Sequence, residues 1–190
     1  GLAGVSGLAA GAVAVAPAFW KQFSAEMGRP ILPAPMTPDP SKWPDRGLYA
    51  AWLGHTTVLI KADGTTIITD PVFSDRIGIR LGLVTLGLKR LVKPAISTRQ
   101  LPRIDLVLLS HAHMDHFDLP SLRKLEHRGT HVVTAANTSD LLRVNRYGSV
   151  QELRWNQRTR VGAAELRAFQ VKHWGARMRT DTYRGYNGYT

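Results

Sequence analysis

Ile104-Asp105-Leu106-Val107-Leu108-Leu109 leads directly into Ser110-His111-Ala112-His113-Met114-Asp115-His116. The first six residues are a short apolar run, the pattern of a strand buried on both faces. His111 follows at its C-terminal end, where a side chain can project into a cleft while the strand holds its backbone rigid. In an extended segment the side-chain period is two, so His111 and His113 share a face and both imidazoles can reach one small cation. Asp115 and His116 then turn the corner and can reach a second cation. Metals about 3.5–4 Å apart clamp and activate one water between them. A zinc-bound water loses its proton at about pH 7. A purely structural role for this cluster is a poor alternative. Each His and the Asp would need its own partner, and the imidazoles would repel one another when protonated.

A tetrahedral site needs a third protein ligand beside His111 and His113. His173, at the end of a strand expected over 164–171, is the candidate. His55 follows Gly54 between two expected strands and is placed to line the same cleft. Asp70 ends another strand just before Pro71. It reads either as a carboxylate that orients a ligand imidazole from behind or as a capped strand end. His127 and His131 flank a helix-to-strand turn and read as solvated surface residues.

Around this cluster the pattern is of strands first, then strand and helix in alternation. Strands are expected over 48–53, 57–61, 66–69, 104–109, 131–134 and 151–155. Asp118 is a plausible N-cap for a helix over 118–127, with Leu119, Leu122 and Leu125 as its apolar stripe. A second helix is expected over 139–146. The order implies an α/β (α+β) chain with helices packed outside sheets. Residues 77–92 are apolar but punctuated by Arg80, Lys89 and Arg90, and read either as a membrane-facing segment or as a core helix with a basic loop.

Upstream, Pro30, Pro33, Pro35, Pro38, Pro40 and Pro44 forbid regular helix and sheet over 29–47, so 21–47 is expected as a Pro-rich linker and the domain over 48–190. Residues 1–20 carry no charge and match the length of a membrane span. They are rich in small residues, and Ala16-Pro17-Ala18 resembles a cleavage site. Signal, membrane anchor and buried Ala/Gly helix are the three readings. An exported or membrane-associated protein is expected from the first two, with a cytoplasmic face also open. The chain opens on Gly1, which reads as a fragment or a processed form.

Cysteine is absent, so disulfides, thiolate zinc sites and a Cys nucleophile are excluded, and any metal must be held by His and carboxylates. The net charge of +11 fits an anionic partner: a small substrate, a lipid surface or a nucleic acid. Basic residues are scattered and do not interleave with aromatics, which weighs against nucleic acid. Oligomeric state is not readable.

His111-Ala112-His113-Met114-Asp115-His116 resembles the H-x-H-x-D-H signature of the metallo-β-lactamase fold superfamily. Trp52-Leu53-Gly54-His55-Thr56-Thr57, Thr69-Asp70-Pro71-Val72-Phe73-Ser74 and Lys172-His173-Trp174-Gly175-Ala176-Arg177 are similar to its N-acylphosphatidylethanolamine phospholipase D branch and bacterial relatives. The resemblance covers about residues 48–190. It implies an αββα sandwich with its C-terminal half beyond Thr190. It also implies two zinc ions, one on His111, His113 and His173, the other on Asp115 and His116, with a bridging Asp and a last His further along. His55, Asp70, Trp174 and Arg177 are then expected behind the ligands or against substrate.

The function this implies is hydrolysis of a phosphodiester in an N-acylphosphatidylethanolamine-type phospholipid, with Asp115 as the catalytic carboxylate. A membrane surface is an expected partner, and the present chain alone is expected to be inactive. Hydrolysis of a soluble lactone or other anionic ester on the same metals is the alternative. A decayed, non-catalytic relative is the third reading.

Overall fold

The computed structural model describes Lys21, residues 24–81 and residues 84–190; residues 1–20, expected as a signal or anchor, lie outside the described residues. Eleven strands are described: β1 (Leu48–Gly54), β2 (Thr57–Ala62), β3 (Thr65–Thr69), β4 (Arg76–Leu81), β5 (Val84–Lys89), β6 (Leu106–Leu108), β7 (His131–Ala135), β8 (Ser149–Leu153), β9 (Arg158–Val161), β10 (Ala164–Phe169) and β11 (Gly188–Tyr189). One α-helix, α1 (Leu119–Lys124), lies between β6 and β7. Among the described residues no helix is long and apolar enough to cross a membrane.

The main sheet has the order β1-β2-β3-β6-β7-β8. Its first three strands are antiparallel, and β6, β7 and β8 run parallel to β3. The two-residue side-chain period divides its residues between two cores. Leu59, Ile68, Val107 and Val132 face a core with Ile104, Phe117, Leu122 and Tyr147. Ile67, Leu106, Val133 and Leu153 face Val161, Leu166 and Ala168 of a three-stranded sheet, β11-β10-β9. Both Leu106 and Val107 are fully buried, as the apolar run requires of a strand covered on both sides. Part of the second sandwich layer expected beyond Thr190 is therefore already present, as β9 to β11. Strands β9 and β11 were not expected from the sequence, because each is too short to carry a clear alternation.

Two helix expectations are corrected. Residues 77–92 hold no core helix but the hairpin β4–β5, paired with Gly78 opposite Gly87. Ile77 and Ile79, and Leu86 and Leu88, recur at a spacing of two, which suits a strand and not a helix. Residues 139–146 form two 3-10 turns, Ser139–Leu141 and Val144–Arg146, not one helix. The Glu152 carboxylate accepts hydrogen bonds from the amides of Asn137, Thr138 and Ser139. The backbone turns extended at Leu142 (φ −96°, ψ 153°), which ends the first turn and leaves too few residues on either side to propagate a helix. Helix α1 does form where expected, but the Asp118 side chain does not cap it. It accepts from Ser74 Oγ at 2.6 Å and from Ser121 Oγ.

The Pro-rich segment lies on the domain. Leu32 exchanges backbone hydrogen bonds with Leu91 and Lys93 at 2.9 and 2.8 Å. Arg29 donates to the carbonyls of Lys89 and Arg90, and Lys61 Nζ donates to the Trp43 carbonyl at 2.9 Å. Between this segment, the outer side of β1 and the hairpin lies an apolar cleft of about 1050 Å³, with Trp52, Leu88 and Leu91 on its walls and His55 among its lining residues.

Candidate metal centre

The ends of β3 and β6 define the site. Asp70 N donates to Leu108 O at 3.0 Å, and Asn187 N donates to Ser110 O at 2.9 Å, so the chain past β6 is held on both sides. His111 forms an isolated antiparallel bridge with Tyr186 and is 4% exposed. Beyond it the loop doubles back, because the amides of His116 and Phe117 both donate to His113 O, at 3.0 and 2.7 Å. That turn returns Asp115 and His116 to the side from which His111 projects.

The ring of His111 has three imidazoles around it: His113, His116 and His173, with centroids 4.3, 4.1 and 4.4 Å away. His111, His113 and His173 each offer a ring nitrogen within 4.8 Å of the others. His111 Nε2 and His173 Nε2 lie 2.9 Å apart, and His113 Nε2 is buried without a hydrogen-bond partner among the described residues. A buried, unpaired ring nitrogen is costly unless something accepts or binds it. A cation held by the three nitrogens would satisfy it, so these residues fit a metal.

Asp70 organises the rings from behind. Its carboxylate accepts from Ser110 N at 2.8 Å, from Ser110 Oγ at 2.6 Å and from His116 Nδ1 at 2.8 Å. Ser110 Oγ has one proton, given to Asp70, and so it accepts from His111 Nδ1 at 2.8 Å. Both Nδ1 atoms then carry hydrogen, which leaves the Nε2 lone pairs of His111 and His116 free to bind a metal. Asp70 has φ 37°, a left-handed backbone in a non-glycine residue. Such strain is a cost that the surrounding hydrogen bonds sustain.

Asp115 forms a second group. Its Oδ2 lies 3.3 Å from His55 Nε2 and 3.9 Å from His116 Nε2, and Thr56 Oγ1 donates to its carbonyl at 2.8 Å. His55, at φ 53° in the β1–β2 turn, thus touches the metal loop as well as the apolar cleft. Trp174 is 60% exposed and packs edge-on against His113 at 5.0 Å, forming a wall of the mouth. Arg177 does not line an open site. Its Nη1 donates to the carbonyls of Ala112 and Phe117 at 3.0 and 2.8 Å, clamping the two ends of the metal loop. His127 is exposed and accepts from Gly129 N, and His131 pairs with Ser149, both away from the cluster.

Burial, reinforced by the neighbouring imidazoles, lowers the His111 pKa from 6.5 to about 3. His113 is lowered by burial and then by His173. Burial opposes the charge on His116 too, but the Asp70 hydrogen bond and charge win and raise it. Burial also opposes charge on Asp115, yet His116 and His55 hold its carboxyl below the usual range. For His111, His113 and Asp115 the unprotonated, ligand-ready forms are thus favoured at neutral pH, whereas Asp70 favours the protonated form of His116. For His111 and His113 the folded state binds fewer protons than the unfolded chain once pH falls below about 6.5. Their contribution to stability is constant above that value and declines from there down towards pH 3. His116, raised, adds stability that is fully present below about 6.5 and is lost as pH rises above it, so it does not offset that decline. The metal-free protein is expected to lose thermal stability as pH falls below about 6.5, read as a falling Tm in a calorimetric pH series.

Sequence reasoning missed Ser110, Thr56, Tyr186 and Arg184. Ser110 carried a signal, since it stands between the buried strand and His111. Thr56 stood inside the stretch Trp52–Thr57, but its contact with Asp115, like those of Tyr186 with His111 and Arg184 with Asp140, spans more than forty positions of chain.

A family profile described as a Beta-lactamase superfamily domain matches residues 65–188. An uncharacterized protein of Mycobacterium tuberculosis is 31% identical over 157 residues, covering 79% of this chain and 41% of the relative. The N-acyl-phosphatidylethanolamine-hydrolyzing phospholipase D 1 of Caenorhabditis elegans is 37% identical over 81 residues, 43% of this chain and 22% of that protein. This chain therefore spans less than half the length of either relative. Among solved structures, CmlA, a diiron β-hydroxylase from Streptomyces venezuelae, matches with a TM-score of 0.53 at 25% identity, over 77% of this chain and 27% of that one. A putative metal-dependent hydrolase from Parabacteroides distasonis matches with a TM-score of 0.51 at 19% identity, over 75% and 54%.

Proposed function

Because this chain belongs to the beta-lactamase superfamily and has the metallo-β-lactamase fold, we propose that it is part of a zinc-dependent hydrolase of phosphodiester bonds in N-acylphosphatidylethanolamine-type phospholipids. The observation that carries the hydrolase reading is the convergence of His111, His113 and His173 around an unpaired, buried His113 Nε2, with Asp115 and His116 alongside. His111, His113 and His173 would hold one ion, and Asp115 and His116 would contribute to a second. All-nitrogen and carboxylate donors suit zinc, although iron accepts the same set. Bound there, zinc supplies Lewis acidity and lowers the pKa of a coordinated water to about 7. Asp115, with Oδ2 beside His55 and its backbone carbonyl held by the Thr56 hydroxyl, would orient the attacking water by accepting its hydrogen bond. Ser110 and Asp70 keep the ligand imidazoles in the required tautomers.

The lipid part of the reading has its own support. The C. elegans relative is named for hydrolysing N-acyl-phosphatidylethanolamine. The apolar cleft of about 1050 Å³ counts His55 among its walls, and His55 in turn touches Asp115, so acyl chains in the cleft would leave the head group beside the metal loop. Met27, Leu32, Met36, Trp52, Leu88 and Leu91 are all exposed around it. Lys89 and Lys93 also line the cleft, and anionic head groups attract such side chains by about 1 kcal/mol each near a surface.

The test uses the protein at the full length of its reading frame, loaded with zinc. It is assayed on vesicles containing N-acylphosphatidylethanolamine and on soluble lactones and esters. Phosphatidic acid released from vesicles supports the reading. Turnover of soluble substrates alone, without vesicle binding, overturns the lipid part and favours the lactone or ester alternative. Less than one equivalent of bound metal overturns the hydrolase itself.

A further inference from the structure

His173 differs from the other converging imidazoles because it comes from an exposed loop after β10, not from the end of a buried strand. Its Nε2 nevertheless lies 2.9 Å from His111 Nε2. Two residues on, Gly175 is seated against another stretch of backbone. A Cβ at this position would lie 2.3 Å from Arg184 O and 2.4 Å from Gly185 O. No side chain fits there, and neither obstacle is a flexible group that can move aside. The loop bearing His173 therefore rests on residues 184 and 185.

That platform is itself anchored. Gly185 N donates to Ala136 O at 2.8 Å, just beyond β7. The Arg184 guanidinium is buried and uses all three of its nitrogens. Nε donates to Asp181 Oδ2 at 2.6 Å, Nη1 and Nη2 donate to the two Asp140 oxygens at 2.6 and 2.9 Å, and Nη1 also reaches Asn137 O at 2.6 Å. Asp181 Oδ1 in turn accepts from Met178 N at 2.6 Å. One side chain thus ties the segment after His173 to the connection between β7 and β8. Bidentate Arg–carboxylate pairing of this kind gives geometric specificity as well as energy. The Asp140 hydrogen bonds raise the pKa of Arg184, so the tie is permanently charged.

We propose that Arg184 is a positioning residue for His173. It fixes the backbone platform on which Gly175 sits, and so delivers the third imidazole to His111 and His113. The inference rests on the reading of His173 as a metal ligand. It assigns a role to a residue that contacts no ring of the cluster and lies eleven positions further along the chain.

The experiment measures Zn²⁺ affinity of the full chain by competition with a chromophoric chelator, with and without His173. His173→Ala alone must weaken binding. Arg184→Lys, which keeps a charge beside Asp181, and Gly175→Ala are each expected to weaken it about tenfold when His173 is present, and by less than about twofold in the His173→Ala background. In the metal-free protein both variants are expected to lose the nuclear Overhauser contact between the His173 and His111 rings. If Arg184→Lys does not fold, Asp140→Asn replaces it, since the Asp140 side chain is 58% exposed and its loss leaves Arg184 paired with Asp181. Equal losses in both backgrounds, or an unchanged affinity and ring contact in the folded variants, overturn the positioning role and leave the ligand reading standing. A His173→Ala protein that binds Zn²⁺ as tightly as the parent overturns both.

Discussion

Replacing His111 with Ala is expected to weaken Zn²⁺ binding by more than about 100-fold, because changes only to residues behind a ligand already cost about 10–100-fold. His111 is the centre of the cluster: its ring lies within 4.4 Å, centroid to centroid, of His113, His116 and His173. It is also the most deeply buried of the four and the one held most firmly in its neutral form. Removing it takes away a nitrogen lone pair that needs no deprotonation at working pH, and leaves Ser110 Oγ without its imidazole donor. Metal content after dialysis, read by elemental analysis beside a far-ultraviolet dichroism spectrum, checks this. A folded His111→Ala protein that retains a full complement of metal would remove His111 from the ligand set. His127→Ala is the control. Its ring is exposed and accepts only from Gly129 N, so metal content is expected to stay unchanged.

The second large effect is expected from Asp70→Asn. Asparagine has nearly the same volume and tolerates the left-handed backbone at φ 37°, so the fold should survive. The chemistry does not. Asp70 accepts three hydrogen bonds, from Ser110 N, Ser110 Oγ and His116 Nδ1. An amide can keep its oxygen on Ser110 N, but its NH2 then faces two donors. His116 must turn its Nδ1 into an acceptor, which moves the proton to Nε2 and removes the lone pair aimed at the metal. Binding at the Asp115–His116 half is expected to fall about 10–100-fold, and less at the three-His group. Stability should drop by about 1–3 kcal/mol, the usual result of leaving buried polar groups mismatched. Nitrogen chemical shifts of the His116 ring report the tautomer directly. An unchanged Nδ1–H form in the variant would show that Asp70 does not set it.

Local pattern carried much of this chain. The strands from β1 to β3 and β6 to β8 were legible because each is either alternating or continuously apolar and bounded by turn residues. The cluster at His111–His116 was legible because its members are close in sequence, so a single extended segment and one turn bring them together. The hairpin β4–β5 and the 3-10 turns at Ser139–Leu141 and Val144–Arg146 were not. In the first, apolar density obscured the spacing of two. In the second, the backbone turns extended at Leu142, at ψ 153°, and splits the segment into two turns, a break that no local pattern marks. Arg177 was expected behind the ligands or against substrate. Its guanidinium ties the loop from behind, through contacts between residues sixty and sixty-five positions apart that the sequence does not specify.

By itself the sequence determined the strand that leads into His111, the chemical character of the clustered side chains and the exclusion of any thiolate site. These follow from side-chain period, composition and spacing, which are properties of short stretches of chain. Only the tertiary structure decided which ring nitrogens converge, what the loop bearing His173 rests on and where the apolar cleft meets His55. Those depend on a half-buried serine, two acids and an arginine drawn from separate strands and turns. Their hydrogen bonds exist because folding removes water from them together, and no local pattern encodes that.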